Sequence, residues 1–102
     1  MTNKGKALGI DYGDRRIGIA LSDDSRQVVF PRDYISNNGN LTEVIQNIKE
    51  LCEQEKVGLI VVGLPLNMEG EDTEQTKKVR VFTESLKELV EANIILQDER
   101  LT

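Results

Sequence analysis

A chain of 102 residues has the length of one domain, and 18 acidic against 13 basic side chains leave it at −5. Apolar residues at 38% and charged residues at 30% suit a folded globular protein rather than a disordered tail. The absence of histidine excludes Ser-His-Asp and Cys-His catalysis and every His-ligated metal site, and the lone Cys52 excludes an internal disulfide, so any chemistry here runs through Asp and Glu.

Residues 7–13 and 16–22 are short runs with alternating apolar positions, split by the glycine-containing turn Gly13-Asp14-Arg15, and they read as a hairpin. Residues 27–35 make a third strand. Pro31 cannot donate a ladder hydrogen bond, so that strand belongs at a sheet edge. After the loop Ser36-Asn37-Asn38-Gly39, Asn40 with Glu43 has capping-box spacing. Leu41, Val44, Ile45, Ile48, Leu51 and Cys52 then line one helical stripe. Leu59-Ile60-Val61-Val62 is a run without alternation, which predicts a strand buried on both faces of a parallel sheet. Past Gly63-Leu64-Pro65, Asp72 with Gln75 is the expected cap of a second helix with Val79, Phe82, Leu86, Leu89 and Val90 inward. Ile94-Ile95-Leu96 closes as a strand running into Asp98-Glu99-Arg100.

The order is βββαβαβ in an α/β fold. Right-handed crossovers make strands one, four and five parallel and append strands two and three antiparallel. Ligands of such sheets sit beyond the carboxyl ends of the parallel strands, here Asp11-Tyr12-Gly13, Gly63-Leu64-Pro65 and Asp98-Glu99. Asp11 lies in an apolar strand, where an unpaired charge is expensive. Either Arg15, Arg16 or Lys6 pairs with it, or it faces a divalent metal held through oxygen ligands. Strand alternation lets only one of Asp98 and Glu99 join it. Asn67 follows the central strand in a loop able to offer its amide to a phosphate. Lys77, Lys78 and Arg80 read as a solvated face, Cys52 as core, and the four aromatics are not interleaved with basic residues as a stacking platform would be.

Three blocks resemble the YqgF/RuvX family: Asp11-Tyr12-Gly13-Asp14-Arg15-Arg16 running through Ile17-Gly18-Ile19-Ala20-Leu21-Ser22-Asp23, then Val61-Val62-Gly63-Leu64-Pro65-Leu66-Asn67-Met68-Glu69-Gly70, then Asp98-Glu99-Arg100-Leu101-Thr102. They occur in order and span nearly the whole chain. The resemblance implies an RNase H-like mixed sheet of five strands in one domain over 1–102, short at its C-terminus, since family members continue into a last helix carrying another acidic residue of the site. It implies a nuclease dependent on Mg²⁺ or Mn²⁺ acting on phosphodiester bonds, with Asp11, Glu99 and Asp98 catalytic and Asp11 and Glu99 on the metal. Arg15, Arg16, Asn67 and Arg100 would meet nucleic acid. The expected substrate is structured RNA, in processing the 5′ end of pre-16S ribosomal RNA. A DNA Holliday junction and a non-catalytic interaction module are the alternatives.

Charge is uneven: residues 1–33 carry six basic against five acidic groups and residues 40–102 seven against thirteen. Lys4, Lys6, Arg15, Arg16, Arg26 and Arg32 therefore make a modest phosphate-binding face near Asp11. No apolar run approaches the ~20 residues that span a bilayer, and the polar start Met1 to Lys6 is unlike a signal peptide, so no membrane partner and a cytoplasmic location are expected. With two helices to cover a sheet expected to be apolar on both faces, a patch should stay open and favour self-association as a homodimer.

Overall fold

The computed structural model describes residues 5–101; Lys4, named above among the basic groups, and Thr102 lie outside them. The strands β1 (Lys6–Tyr12), β2 (Arg16–Ser22), β3 (Val29–Ser36), β4 (Val57–Leu64) and β5 (Asn93–Asp98) form one sheet in the order β3-β2-β1-β4-β5. Pairings β1–β2 and β2–β3 are antiparallel, and β1–β4 and β4–β5 are parallel. Pro31 sits on the edge strand, where its missing N–H costs no ladder bond. No helix among the described residues is long and apolar enough to cross a membrane.

Helices α1 (Leu41–Glu55) and α2 (Glu74–Leu89) join β3 to β4 and β4 to β5. From β1 through β4 to β5 the sheet grows in one direction, so two right-handed crossovers put both helices on the same face. The two helices meet each other and β4 there. The core lies beneath them: Leu8, Ile10, Ile17, Ile19, Leu21, Ile60, Val62 and Leu64 from the sheet against Val44, Ile45, Ile48, Val79, Phe82 and Leu86 from the helices.

The expectation that the Leu59–Val62 run is buried on both faces is therefore corrected. Ile60 and Val62 are fully buried, whereas Leu59 and Val61, pointing the other way, are only partly covered, because no described helix packs on their side. The bare face is built small, with Ala7, Gly9, Gly18, Ala20 and Gly63 alternating with the core residues of β1, β2 and β4. Its exposed apolar groups include Ile95 on β5 and Val29 on β3.

The helix ends differ in detail from the sequence reading. Asn40 does cap α1, accepting from the Glu43 N–H at 3.2 Å, but the Glu43 carboxylate takes the Asn38 amide instead of closing a capping box. At α2 the cap is Thr73, whose hydroxyl accepts from the Thr76 N–H while the Thr76 hydroxyl accepts from the Thr73 N–H. Asp72 is drawn away by a forked ion pair with Arg80 at 2.8 and 2.9 Å. Thr76 and Thr83 occupy core positions, and Leu89, expected inside, is 44% exposed on the last turn.

Candidate active site on the bare sheet face

Asp11, the last residue but one of β1, lies on the bare face and is paired across the ladder with Gly18. It is exposed, and among the described residues it forms no ion pair with Arg15, Arg16 or Lys6; Lys6 is bound instead to Glu55 at 3.0 Å. The premise of a desolvated strand aspartate is thus replaced by a solvated carboxylate on an open floor, because the helices cover the opposite side.

The end of β5 divides its two carboxylates. Asp98 pairs with Leu64, on the helix-covered face, and is clamped by Arg100, whose guanidinium donates to it at 2.7 and 2.9 Å and whose backbone N–H adds a third bond at 2.9 Å. The Arg100 bonds hold Asp98 below the usual carboxylate range. Glu99 opens the short 3-10 turn (Glu99–Leu101), and that turn swings its side chain over Gly63. A Cβ on Gly63 would lie 2.6 Å from the Glu99 carboxyl carbon, so only glycine lets the carboxylate rest there. Burial and then the charge of Asp11 push the Glu99 carboxyl above its ordinary value.

Asp11 and Glu99 thus line one open hollow of about 310 Å³, floored by Gly9, Gly18, Ala20 and Gly63. Two carboxylates that repel across a floor rich in glycine suit a hard divalent cation, which accepts one or two protein carboxylates and completes its shell with water and phosphate oxygens. Among the described residues no three such groups cluster.

Around this hollow the loops are tied down. The Gly13 N–H donates to the Arg16 carbonyl to close the β1–β2 turn, the Asn37 amide donates to the Gly13 carbonyl at 2.8 Å, and the Gln75 amide reaches the Tyr12 carbonyl at 3.0 Å. Tyr12 itself turns to the core side and stacks on Phe82, ring centroids 4.4 Å apart. In the 65–72 loop the Asn67 side-chain oxygen Oδ1 accepts from the Glu69 and Glu71 N–H groups, and its side-chain amide nitrogen leans on Glu71; these bonds shape the turn. Arg100 bridges from Asp98 to the Met68 carbonyl and lies against Gly70, so one side chain joins the 67–70 turn to the end of β5.

Of the residues singled out from sequence, Asp11 and Glu99 come together, Asp98 and Arg100 form a separate strut, and Arg15 and Arg16 stand at the hairpin beside Asp11. Lys77, Lys78 and Arg80 are paired with Glu74, Asp14 and Asp72, as a solvated face implies. Gly63, Asn37 and Gln75 had no sequence signal beyond turn and cap chemistry. Tyr34 had none: in the fold the Arg16 guanidinium lies 5.0 Å from its ring centre.

The family model described as "RuvX: Holliday junction resolvase" matches residues 5–102. A relative from Maridesulfovibrio salexigens named "Putative pre-16S rRNA nuclease" is 42% identical over 97 residues, covering 95% of this chain and 71% of its own length. Relatives of the same name from Rickettsia conorii and Rickettsia felis are 41% and 42% identical over 95 residues. This chain spans 61% of each of them, and they cover 93% of it. Among solved structures, T. thermophilus RuvC in complex with a Holliday junction substrate superposes with a TM-score of 0.69 at 9% identity, over 93% of this chain and 65% of that one. An exopolyphosphatase from Cytophaga hutchinsonii gives 0.53 at 12% identity, over 91% of this chain and 34% of that one. At those identities the likeness is one of fold, the RNase H-like arrangement that the family resemblance implies. On the family match and the Maridesulfovibrio and Rickettsia relatives together, the chain belongs to the RuvX family.

Proposed function

We propose that this chain carries the metal-binding carboxylates of a nuclease that hydrolyses phosphodiester bonds, with pre-16S ribosomal RNA as its substrate. The observation that carries this reading is the meeting of Asp11, beside Gly18, and Glu99, over Gly63, in one hollow of the sheet face that no described helix covers. The relatives' names supply the substrate.

Asp11 and Glu99 would hold Mg²⁺ or Mn²⁺, which when bound activates water and neutralises charge on the phosphate. The chain's own contribution is placement. Gly63 admits the Glu99 carboxylate, Gly18 leaves the space beside Asp11 open, and Asn37 and Gln75 fix the turn from which Arg15 and Arg16 project. The repulsion between Asp11 and Glu99 favours the ion-bound state over the free site. Asp98, neutralised by Arg100, holds the 67–70 turn against the strand end and takes no part in holding the ion.

The test compares 5′-extended 16S ribosomal RNA with a synthetic four-way DNA junction, each incubated with the protein and Mn²⁺. Cleavage of the RNA by the wild type, lost in Asp11→Asn and Glu99→Gln while the melting temperature stays within a few degrees, is the expected result. Junction cleavage with the RNA intact would move the substrate to DNA. No cleavage of either, with no Mn²⁺-dependent rise in melting temperature, would leave a non-catalytic interaction module.

A further inference from the structure

Five arginines besides Arg26 are spread over the described residues, and they fall into two groups. Arg32, Arg80 and Arg100 each hold a carboxylate within hydrogen-bond distance. Arg15 and Arg16, among the described residues, hold none. In a chain with a five-charge acidic excess, carboxylates are not in short supply. Two adjacent unpaired guanidiniums on the hairpin next to Asp11 are therefore available for an anion from outside.

Arg16 is not loose. Its guanidinium lies over the Tyr34 ring at 5.0 Å, a cation–π contact, and Tyr34 is itself 56% exposed. The backbone explains how the two meet. Along β2 and β3 the register runs Ile17↔Ile35 and then Ile19↔Arg32, so the single residue Gly18 stands opposite the pair Asp33-Tyr34. This bulge adds one residue to the edge strand and re-aims a side chain, as bulges beside functional sites do. Gly18 is also the ladder partner of Asp11. Asp11, Gly18 and the bulge thus make one row across three strands, with no side chain in its middle. Two strand spacings place Tyr34 roughly 10 Å from Asp11 across the floor of the hollow.

We propose that the Arg16–Tyr34 pair is a binding site for a single-stranded nucleotide flanking the phosphate held at Asp11 and Glu99: Arg16 takes the backbone phosphate and an unstacked base lies on the exposed part of the Tyr34 ring. This rests on the nuclease reading and sharpens its substrate class to nucleic acid with an unpaired segment beside the cleavage point. Arginine supplies the fork that matches phosphate, and the aromatic face accepts any base without reading its edge. A fully paired duplex keeps its bases stacked on one another and leaves the Tyr34 ring without a partner.

The experiment measures binding, not cleavage, in EDTA. The probes are a short single-stranded oligoribonucleotide carrying 2-aminopurine and the same strand annealed to its complement. Wild type should bind the single strand in preference to the duplex. Tyr34→Leu should weaken single-strand binding about tenfold, the loss of one base–aromatic stack, with duplex binding unchanged and Tyr34→Phe close to wild type. Arg16→Ala should weaken both and flatten the dependence of log affinity on log salt by close to one phosphate's share, ~0.7 for a single strand. Equal single-strand binding by wild type and Tyr34→Leu, or an equal loss on single strand and duplex, overturns the proposal. Either result leaves the nuclease reading standing if Asp11→Asn still abolishes cleavage. A wild type that binds neither probe also overturns the proposal, and cleavage in Mn²⁺ then decides the nuclease reading by itself.

Discussion

The two faces of this sheet are made from the same strands and do opposite work. On the helix-covered face the inward positions of β1, β2 and β4 are Leu, Ile, Val or Tyr except for Lys6 and Gly58 at the strand starts, and Leu8, Ile17, Ile60 and Val62 are completely shielded from water. On the other face the same strands offer Gly or Ala at five positions around the hollow, Ala7, Gly9, Gly18, Ala20 and Gly63, with Asp11 of β1 and Glu99 after β5 beside them. The first arrangement stabilises the fold by removing apolar surface from water. The second leaves room close to the backbone, which a bulky side chain would fill. One strand can serve both ends because its side chains alternate strictly.

The sharpest break of that comparison uses two neighbours on β4. Ile60→Ala removes a fully buried side chain and should cost about 2–5 kcal/mol of stability in urea unfolding. Val61→Ala, one position along on the open face, should cost about 1 kcal/mol or less, because part of its surface is already in water. Equal losses would mean that the open face is packed in solution, by a second copy or by another element, and would return the self-association expected from sequence.

A smaller effect on stability and a larger one on function are expected at Gly63. A methyl group there would sit 2.6 Å from the Glu99 carboxyl carbon, and the flexible side chain would have to swing aside. Gly63→Ala should therefore weaken Mn²⁺ binding roughly tenfold, as misplacement of one of two carboxylate ligands implies, with a melting temperature near that of wild type. Unchanged Mn²⁺ affinity by calorimetry would remove Glu99 from the ion's ligands.

Much of this could be read from the residues. The element order, the parallel and antiparallel pairings and the edge position of β3 followed from alternation, Pro31 and the right-handed crossover rule. What alternation could not give is which face the helices take. For Leu59-Ile60-Val61-Val62 both sets are apolar, and only the direction of sheet growth puts α1 and α2 together. Asp11 was misread as buried for that reason. Its meeting with Glu99 depends on a 3-10 turn after β5 that no periodicity announces. The Arg16–Tyr34 contact depends on a bulge, which a count of alternating residues passes over, since one extra residue shifts the face of everything after it. At α2, Asp72 and Thr73 are both good caps, and the pull of Arg80 on Asp72 decides between them.

Arg100 links the two faces, since Asp98 lies toward the helices and the 67–70 turn leads from the site. Arg100→Ala should cost under about 1 kcal/mol, the scale of an exposed ion pair. It should speed amide exchange at Gly70, whose N–H donates to the Asn67 carbonyl within the turn that Arg100 braces. Unaltered exchange there would show that the Asn67 bonds hold the turn alone.

The smallest effect is expected far from the open face, where Glu55 at the end of α1 accepts from Lys6 of β1 at 3.0 Å and Arg32 of β3 at 3.2 Å. Those hydrogen bonds hold its carboxyl below the ordinary value, the Lys6 bond contributing most. A carboxylate whose pKa is lowered by folding stabilises the native state at every pH above its unfolded value, and that contribution is lost as pH falls through the folded one. Glu55→Gln should therefore melt slightly below wild type at pH 7. Because the other native carboxylates weaken both proteins together in acid, the informative quantity is the difference between the two melting curves. That difference should close as the pH drops below the ordinary glutamate range. A gap that persists undiminished at pH 3 would assign the loss to packing of the Glu55 stem against β1 and β3, and would leave this junction of α1 with the sheet held by contact, with no contribution from the Glu55 charge.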